Sequence, residues 1–213
     1  MPAPAIKLCG LNDAASLEAA IGAQADYAGF NFYPPSPRYL DLAAARLLGG
    51  QAAGRIRRVG VFVNASGDEI AAAVTAANLD AIQLHGGESP DAAAQLRSQF
   101  ALPVWKVLSV ASAADIARAQ AYAGAADLIL FDAKTPKGTL PGGMGLRFDW
   151  SLLAGYRGAL PWGLAGGLTA DNVAEAAHQT RAPLVDTASG IESAPGIKDT
   201  QLIAAFCAAA QSA

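Results

Sequence analysis

The chain has 213 residues, enough for one domain with a full buried core, so residues 1–213 are expected to form a single domain. Lys and Arg number 15 against 18 Asp and Glu, a net charge of −3 without any basic run, which speaks against a nucleic-acid partner. No apolar stretch nears the roughly 18 residues needed to span a bilayer, and MPAPAIKLCG has neither a basic nor a long apolar leader region, so no membrane partner is expected and the cytoplasm is the expected location.

Strand-like and helix-like segments alternate from end to end. Apolar, β-branched or aromatic runs fall at 5–9, 27–32, 58–63, 80–84, 103–108, 127–131, 161–165 and 183–186. Between them lie Ala-rich segments such as DAASLEAAIGAQ, GDEIAAAVTAAN and SPDAAAQLRSQF, and DTQLIAAFCAAA closes the chain. Their apolar residues recur at spacings of three and four, the pattern of an amphipathic helix. Alternation without a hairpin signal predicts parallel strands with helical crossovers. Eight strands, with a helix after each, predict a closed single-domain (β/α)8 TIM barrel. An open doubly wound sheet is the alternative, but its Gly-rich fingerprint would follow strand one, where this chain has Cys-Gly-Leu-Asn. The connections 33–57 and 133–160 are the longest and are candidate active-site loops.

Barrel active sites collect at the C-terminal ends of the strands. Strand one ends in Cys9, and period-two alternation puts Lys7 on the same face. If that face is the interior, the ammonium would lower the thiol pKa; position alone leans toward the other reading, a small buried hydrophobe. Cys207, inside an Ala-rich helix, reads as packing. Strand six ends in Asp132, read as a functional carboxylate that could face Cys9 across the barrel mouth as an acid–base partner. Arg38, in the Pro-stiffened PPSPRYL loop, suits forked recognition of a carboxylate or phosphate. His85, ending strand four, reads as a hydrogen-bonding wall residue, with no second ligand for a metal. Asp186, ending strand eight, is placed either to contact substrate hydroxyls or to cap a turn. Trp105, Phe30 and Phe32 read as core.

Two small-residue corners remain. GLAGGLTADNV carries Gly166 and Gly167 ahead of Thr169, Asp171 and Asn172, helix-starting residue types. VDTASGIESAPG carries Ser189 and Gly190. Bare amides at adjacent strand ends suit a phosphate, and loops after strands seven and eight are the frequent phosphate site of this barrel.

IKLCG, GFNFYPPSPRYL, VGVFVN, IQLHG, LFDAK, LAGGL and VDTASGIESAPGIKD, in this order and spacing, resemble the phosphoribosylanthranilate isomerases of tryptophan biosynthesis across essentially the whole chain. The resemblance implies an Amadori rearrangement of N-(5'-phosphoribosyl)anthranilate, with Cys9 as general base and Asp132 as general acid. It further implies Arg38 on the anthranilate carboxylate and the loops after strands seven and eight on the phosphate. The implied partner is this small phosphosugar-anthranilate substrate, with no cofactor and no metal. Asn12 and Leu8 depart from the family pattern at positions without a catalytic role. Other phosphosugar barrels are the competing enzymes. Indole-glycerol-phosphate synthase would need a catalytic lysine and a longer N-terminus, and the histidine-pathway isomerase usually carries Asp where Cys9 stands. A phosphate-ligand binding protein on the same fold is the non-enzyme alternative, but a binder needs neither Cys9 nor Asp132. Oligomeric state has no signal in the sequence.

Overall fold

The computed structural model describes residues 2–135, 142–154 and 156–213. Eight strands form a closed parallel barrel: β1 Ala5–Cys9, β2 Tyr27–Asn31, β3 Arg57–Phe62, β4 Ala81–Leu84, β5 Val104–Val110, β6 Leu128–Ala133, β7 Trp162–Leu164 and β8 Leu184–Thr187. Each pairs with the next, and β8 closes on β1 with Lys7 opposite Asp186. The apolar runs of the sequence coincide with these strands within two residues at either end. They read as near-continuous because a parallel strand is covered on both faces.

Among the described residues, seven α-helices cover the barrel: α1 Ala14–Gly22, α2 Leu42–Ala52, α3 Gly67–Ala77, α4 Pro90–Phe100, α5 Ala113–Ala117, α6 Val173–Thr180 and α7 Thr200–Gln211. Several start on side chains that satisfy otherwise orphaned amides. Asp13 accepts from Ser16 N, Ser66 and Glu69 form a reciprocal capping box, and Asp199 accepts from Gln201 N and Leu202 N. Small residues let neighbouring helices touch backbone to backbone: a Cβ on Gly49 of α2 would lie 2.7 Å from Ala77 Cα of α3. No described helix is long and apolar enough to cross a membrane.

Strand alternation sorts the core into two layers. Ile6, Leu8, Phe30, Ile82 and Phe131 point outward into the strand–helix layer. Val59, Ala81, Trp105, Val107, Leu130 and Leu184 fill the barrel interior, the packed rather than hollow centre expected of this fold. Trp105 and Phe30 are core residues as expected, and Phe32 stacks on Phe62 at the edge of that core.

Two expectations are corrected. A helix does not follow every strand: among the described residues, the β6–β7 connection contains only a short 3-10 turn at Trp150–Leu153. Its sequence, with Gly142, Gly143 and Gly145 all at positive φ, does not favour a helix; residues 136–141 and 155 of this candidate loop lie outside the described residues. The chain also contains a hairpin, with β9 Glu192–Ala194 antiparallel to β10 Ile197–Lys198. Gly196 turns it at φ +81°, and a side chain there would meet the Pro37 carbonyl, so the hairpin lies against the Pro-rich loop after β2. Asn12 Nδ2 donates to Gly196 O at 3.2 Å and ties the loop after β1 to the same place.

Candidate active site

Cys9, Arg38, His85, Asp132, Gly166, Gly167, Asp186 and Ser189 line one cleft at the C-terminal mouth of the barrel. Gly190 lines the adjoining groove instead, where the lack of a side chain lets the Leu168 carbonyl pack directly on it. Strands place these residues as the sequence suggested: alternation turns the last inward position of β1, β6 and β8 to the mouth.

On one wall, Cys9 is buried at the end of β1 and faces inward with Lys7. Lys7 has no solvent exposure, and its Nζ donates to Asp186 Oδ1 at 2.9 Å. Gly29 of β2 pairs opposite Cys9, and a Cβ there would lie 3.1 Å from both Cys9 Sγ and Lys7 Nζ. The missing side chain therefore leaves the space in which thiol and ammonium meet. Burial pushes the Cys9 thiol up; Lys7 pulls it down as expected, joined by Lys198, but less strongly, and Asp186 adds to the rise, so the net shift is upward. Burial likewise works to lower the Lys7 pKa, but Asp186 and the Cys9 sulfur outweigh it and hold Lys7 above the usual lysine value.

Across the mouth, Asp132 is buried at the end of β6. Its Oδ1 accepts from Ala133 N at 2.8 Å, and its Oδ2 lies 3.4 Å from His85 Nε2. His85 thus lines the cleft as a polar wall residue beside the carboxylate. Gly142 (φ +73°) covers this pair, since a Cβ there would sit 2.7 Å from both Asp132 Oδ2 and His85 Cε1.

Arg38 is buried at the rim, and its fork is already engaged. Nε and Nη2 each donate to Glu192 at 2.7 Å, and Nη2 also reaches Gly143 O at 3.0 Å. Among the described residues, Nη1 is the guanidinium nitrogen without an acceptor. Lys198 Nζ donates to Glu192 Oε1 at 2.7 Å and to Ala188 O at 2.8 Å. Burial works against the Glu192 charge, but Arg38 and Lys198 outweigh it and hold the carboxyl below the usual value. The sequence reading missed Glu192 and Lys198, because Glu192 is 154 positions from Arg38 and the hairpin that delivers it has no strong signal.

At the third side, Gly166 (φ +90°) and Gly167 (φ +63°) turn the backbone through a region that side chains disfavour. A Cβ on Gly166 would collide with Ala133 N at 2.6 Å. Helix α6 starts only at Val173, after the predicted starters. Asn172 gives no cap hydrogen bond but closes the loop, accepting from Thr169 N at 2.9 Å and donating to Gly167 O at 3.0 Å. Thr187 Oγ1 donates to Leu168 O at 2.7 Å and locks the β7 and β8 loops together. A short 3-10 turn, Ser189–Ile191, opens after β8 without a side-chain cap at Ala188.

The cleft thus combines an inward thiol, an opposing carboxylate, a buried guanidinium and a glycine-rich corner. A family model described as N-(5'phosphoribosyl)anthranilate (PRA) isomerase matches residues 6–209. The N-(5'-phosphoribosyl)anthranilate isomerase of Rhodopseudomonas palustris (strain BisB18) is 50% identical over 207 residues, covering 97% of this chain and 95% of its own. The enzyme of the same name from Paramagnetospirillum magneticum (strain ATCC 700264 / AMB-1) is 48% identical over 97% of this chain and 96% of its own. Among solved structures, the phosphoribosyl anthranilate isomerase of Thermotoga maritima superposes with a TM-score of 0.89 at 34% identity, covering 99% of this chain and all of that one. A phosphoribosyl anthranilate isomerase in complex with reduced 1-(o-carboxyphenylamino)-1-deoxyribulose 5-phosphate superposes at 0.86 with 32% identity, over 99% of this chain and 100% of that one. The chain belongs to the N-(5'-phosphoribosyl)anthranilate isomerase family.

Proposed function

We propose that this isomerase converts N-(5'-phosphoribosyl)anthranilate to 1-(2-carboxyphenylamino)-1-deoxyribulose 5-phosphate, the Amadori step of tryptophan biosynthesis, with Asp132 as general acid and Cys9 as general base. The observation that carries the reading is the convergence of Cys9 from β1 and Asp132 from β6 on one cleft. Asp132 protonates the ring oxygen as the anilino nitrogen expels it, which opens the furanose to an iminium. In its thiolate form, which burial opposes and Lys7 favours, Cys9 takes the proton from C2, and the C–H electrons move through C1 to the nitrogen to give an enolamine. In the tautomerisation, C1 gains a proton and the C2 hydroxyl loses one, so substrate and product remain isomers. Returning those protons from Cys9 and to Asp132 restores the starting thiolate and acid.

The two anions of the substrate fit opposite ends of the cleft. The phosphate suits the Gly166–Gly167 and Ser189–Gly190 corner, where positive-φ glycines turn the β7 loop beside the 3-10 turn that follows β8. The ring carboxylate suits Arg38, received through Nη1 while Glu192 holds the rest of the guanidinium. His85 steadies Asp132, and Asp186 borders the sugar. The whole chain acts as one catalytic domain on a small phosphosugar, and its two free, buried cysteines suit the reducing cytoplasm. The test is a turnover assay: purified protein mixed with N-(5'-phosphoribosyl)anthranilate should abolish the fluorescence of the substrate and yield the ketose. An unchanged substrate pool would overturn the reading.

A further inference from the structure

The barrel interior is apolar at its lower level, where Val59, Ala81, Trp105, Leu130 and Leu184 pack together, yet Lys7 stands in it with no solvent exposure. A buried ion pair is a poor way to stabilise a core, since well-packed apolar residues of similar volume often do as well or better. The Lys7–Asp186 pair therefore calls for a role besides packing, and its surroundings define one. The ammonium lies on the same strand face as Cys9, and both it and the sulfur border the space left by Gly29, where a Cβ would lie 3.1 Å from each. The charged groups around Cys9 are Lys7 from β1, Asp186 from β8 and Lys198 from β10, with Arg38, His85 and Asp132 around the cleft. Lys198 is directed to Glu192 and Ala188 O. Lys7 is the cation that shares with the Cys9 sulfur the space opened by Gly29.

We propose that Lys7 is a positioning residue of the isomerisation, its ammonium anchored by Asp186 beside the Cys9 sulfur, where it favours the thiolate against the opposing effect of burial and keeps it aimed at the substrate carbon that loses its proton. The inference rests on the assignment of Cys9 as base. Lys7 keeps its own protons throughout: the C2–H bond breaks, the new S–H bond forms, and the attraction between ammonium and sulfur weakens as the thiolate is neutralised. Asp186 fixes where the ammonium sits, and through it where the sulfur points.

The experiment is the pH dependence of Cys9 alkylation by iodoacetamide, together with the pH profile of kcat, in a Cys207→Ala background. Burial already pushes the Cys207 thiol up to about 11, so its removal leaves one thiol to follow. Lys7→Met should move the alkylation midpoint upward by about one pH unit or more, which lowers the thiolate fraction at neutral pH about tenfold. Its kcat should fall accordingly and recover as the pH is raised, with KM little changed. Lys7→Arg should restore part of the loss. Asp186→Asn removes an anion beside the sulfur and should move the midpoint the other way, downward. A purely structural pair would not give opposite shifts. The inference is overturned if Lys7→Met leaves the midpoint in place, or if both variants shift it in the same direction. Should Lys7→Met fail to fold, the neutral double variant Lys7→Met/Asp186→Asn is compared with Asp186→Asn alone. A higher midpoint in the double variant supports the inference and an equal one overturns it. An active Cys9→Ala enzyme would instead remove the base assignment itself, and the two failures are therefore distinguishable.

Discussion

Two lysines of this barrel are buried against carboxylates at nearly the same distance, and they serve the molecule differently. Lys106 of β5 points out of the barrel, between strands and helices, and meets Glu88 at 2.7 Å. Its Nζ also donates to Gly86 O at 2.7 Å and Leu84 O at 3.3 Å. Glu88 in turn accepts from Asn64 N and Gly86 N, so the pair pins the loop that carries His85. Lys7 points into the barrel and meets Asp186 at 2.9 Å, with a thiol as its other neighbour. Burial lowers the Lys106 pKa despite Glu88, whereas the pKa of Lys7 is raised because the Cys9 sulfur adds to the pull of Asp186. One lysine is satisfied by backbone carbonyls and fixes a wall. The other is left facing a group that changes charge.

The largest effect that would sharpen this contrast is on stability. Lys106→Met strands Glu88 as a buried, unpaired carboxylate and should cost about 3–5 kcal/mol in denaturant unfolding. It should leave the alkylation midpoint of Cys9 where it was. A loss well below 1 kcal/mol, or a shifted midpoint, would erase the distinction between the two lysines.

Next comes the rim, where Arg38, Glu192 and Lys198 form a third buried cluster. Arg38→Met should raise KM for the anthranilate substrate about 10- to 150-fold, the loss of one charge-assisted hydrogen bond worth about 1.5–3 kcal/mol. Binding of ribose 5-phosphate, which has no ring carboxylate, should hardly change by calorimetry. Arg38→Lys should recover part of the loss, because a single ammonium cannot face Glu192 and the ligand in one plane. Equal weakening of both ligands would make Arg38 a scaffold residue like Lys106. The smallest effect belongs to the exposed Arg55–Glu18 pair at 2.6 Å, whose two long side chains are free in solvent. Arg55→Ala should leave both the thermal midpoint and kcat within measurement error, and a clear drop would show that burial is not what separates these pairs.

The strands were legible because each is a run rich in apolar residues that the barrel covers on both faces, and several helix starts because Asp13, Ser66 and Asp199 announce them. Cys9 and Asp132 were legible as strand-end residues, and the period-two pattern put Lys7 on the face of Cys9, while which face turns inward was settled only by the closed barrel. Gly166 and Gly167 were legible as a turn, and both take positive φ. Charge environment was not legible. The thiol pKa depends on how deeply Cys9 is buried, and depth is a property of the closed barrel. Glu192 reaches Arg38 only because the β9–β10 hairpin folds back over the Pro-rich loop, and the partners are 154 positions apart. Lys106 shows the same limit: its sequence neighbours are the inward-facing Trp105 and Val107, while its partner Glu88 comes from the preceding loop.

The central claim is that Cys9 and Asp132 transfer protons and do little to hold the substrate. It is tested most directly by measuring turnover of Cys9→Ala and Asp132→Asn alongside their calorimetric affinity for reduced 1-(o-carboxyphenylamino)-1-deoxyribulose 5-phosphate. Both variants should bind this analogue within a few-fold of the parent, yet each should turn over roughly 100-fold or more slowly, the scale of a positioned acid or base. Near-parental turnover in either variant, or a loss of affinity as large as the loss of rate, would contradict it.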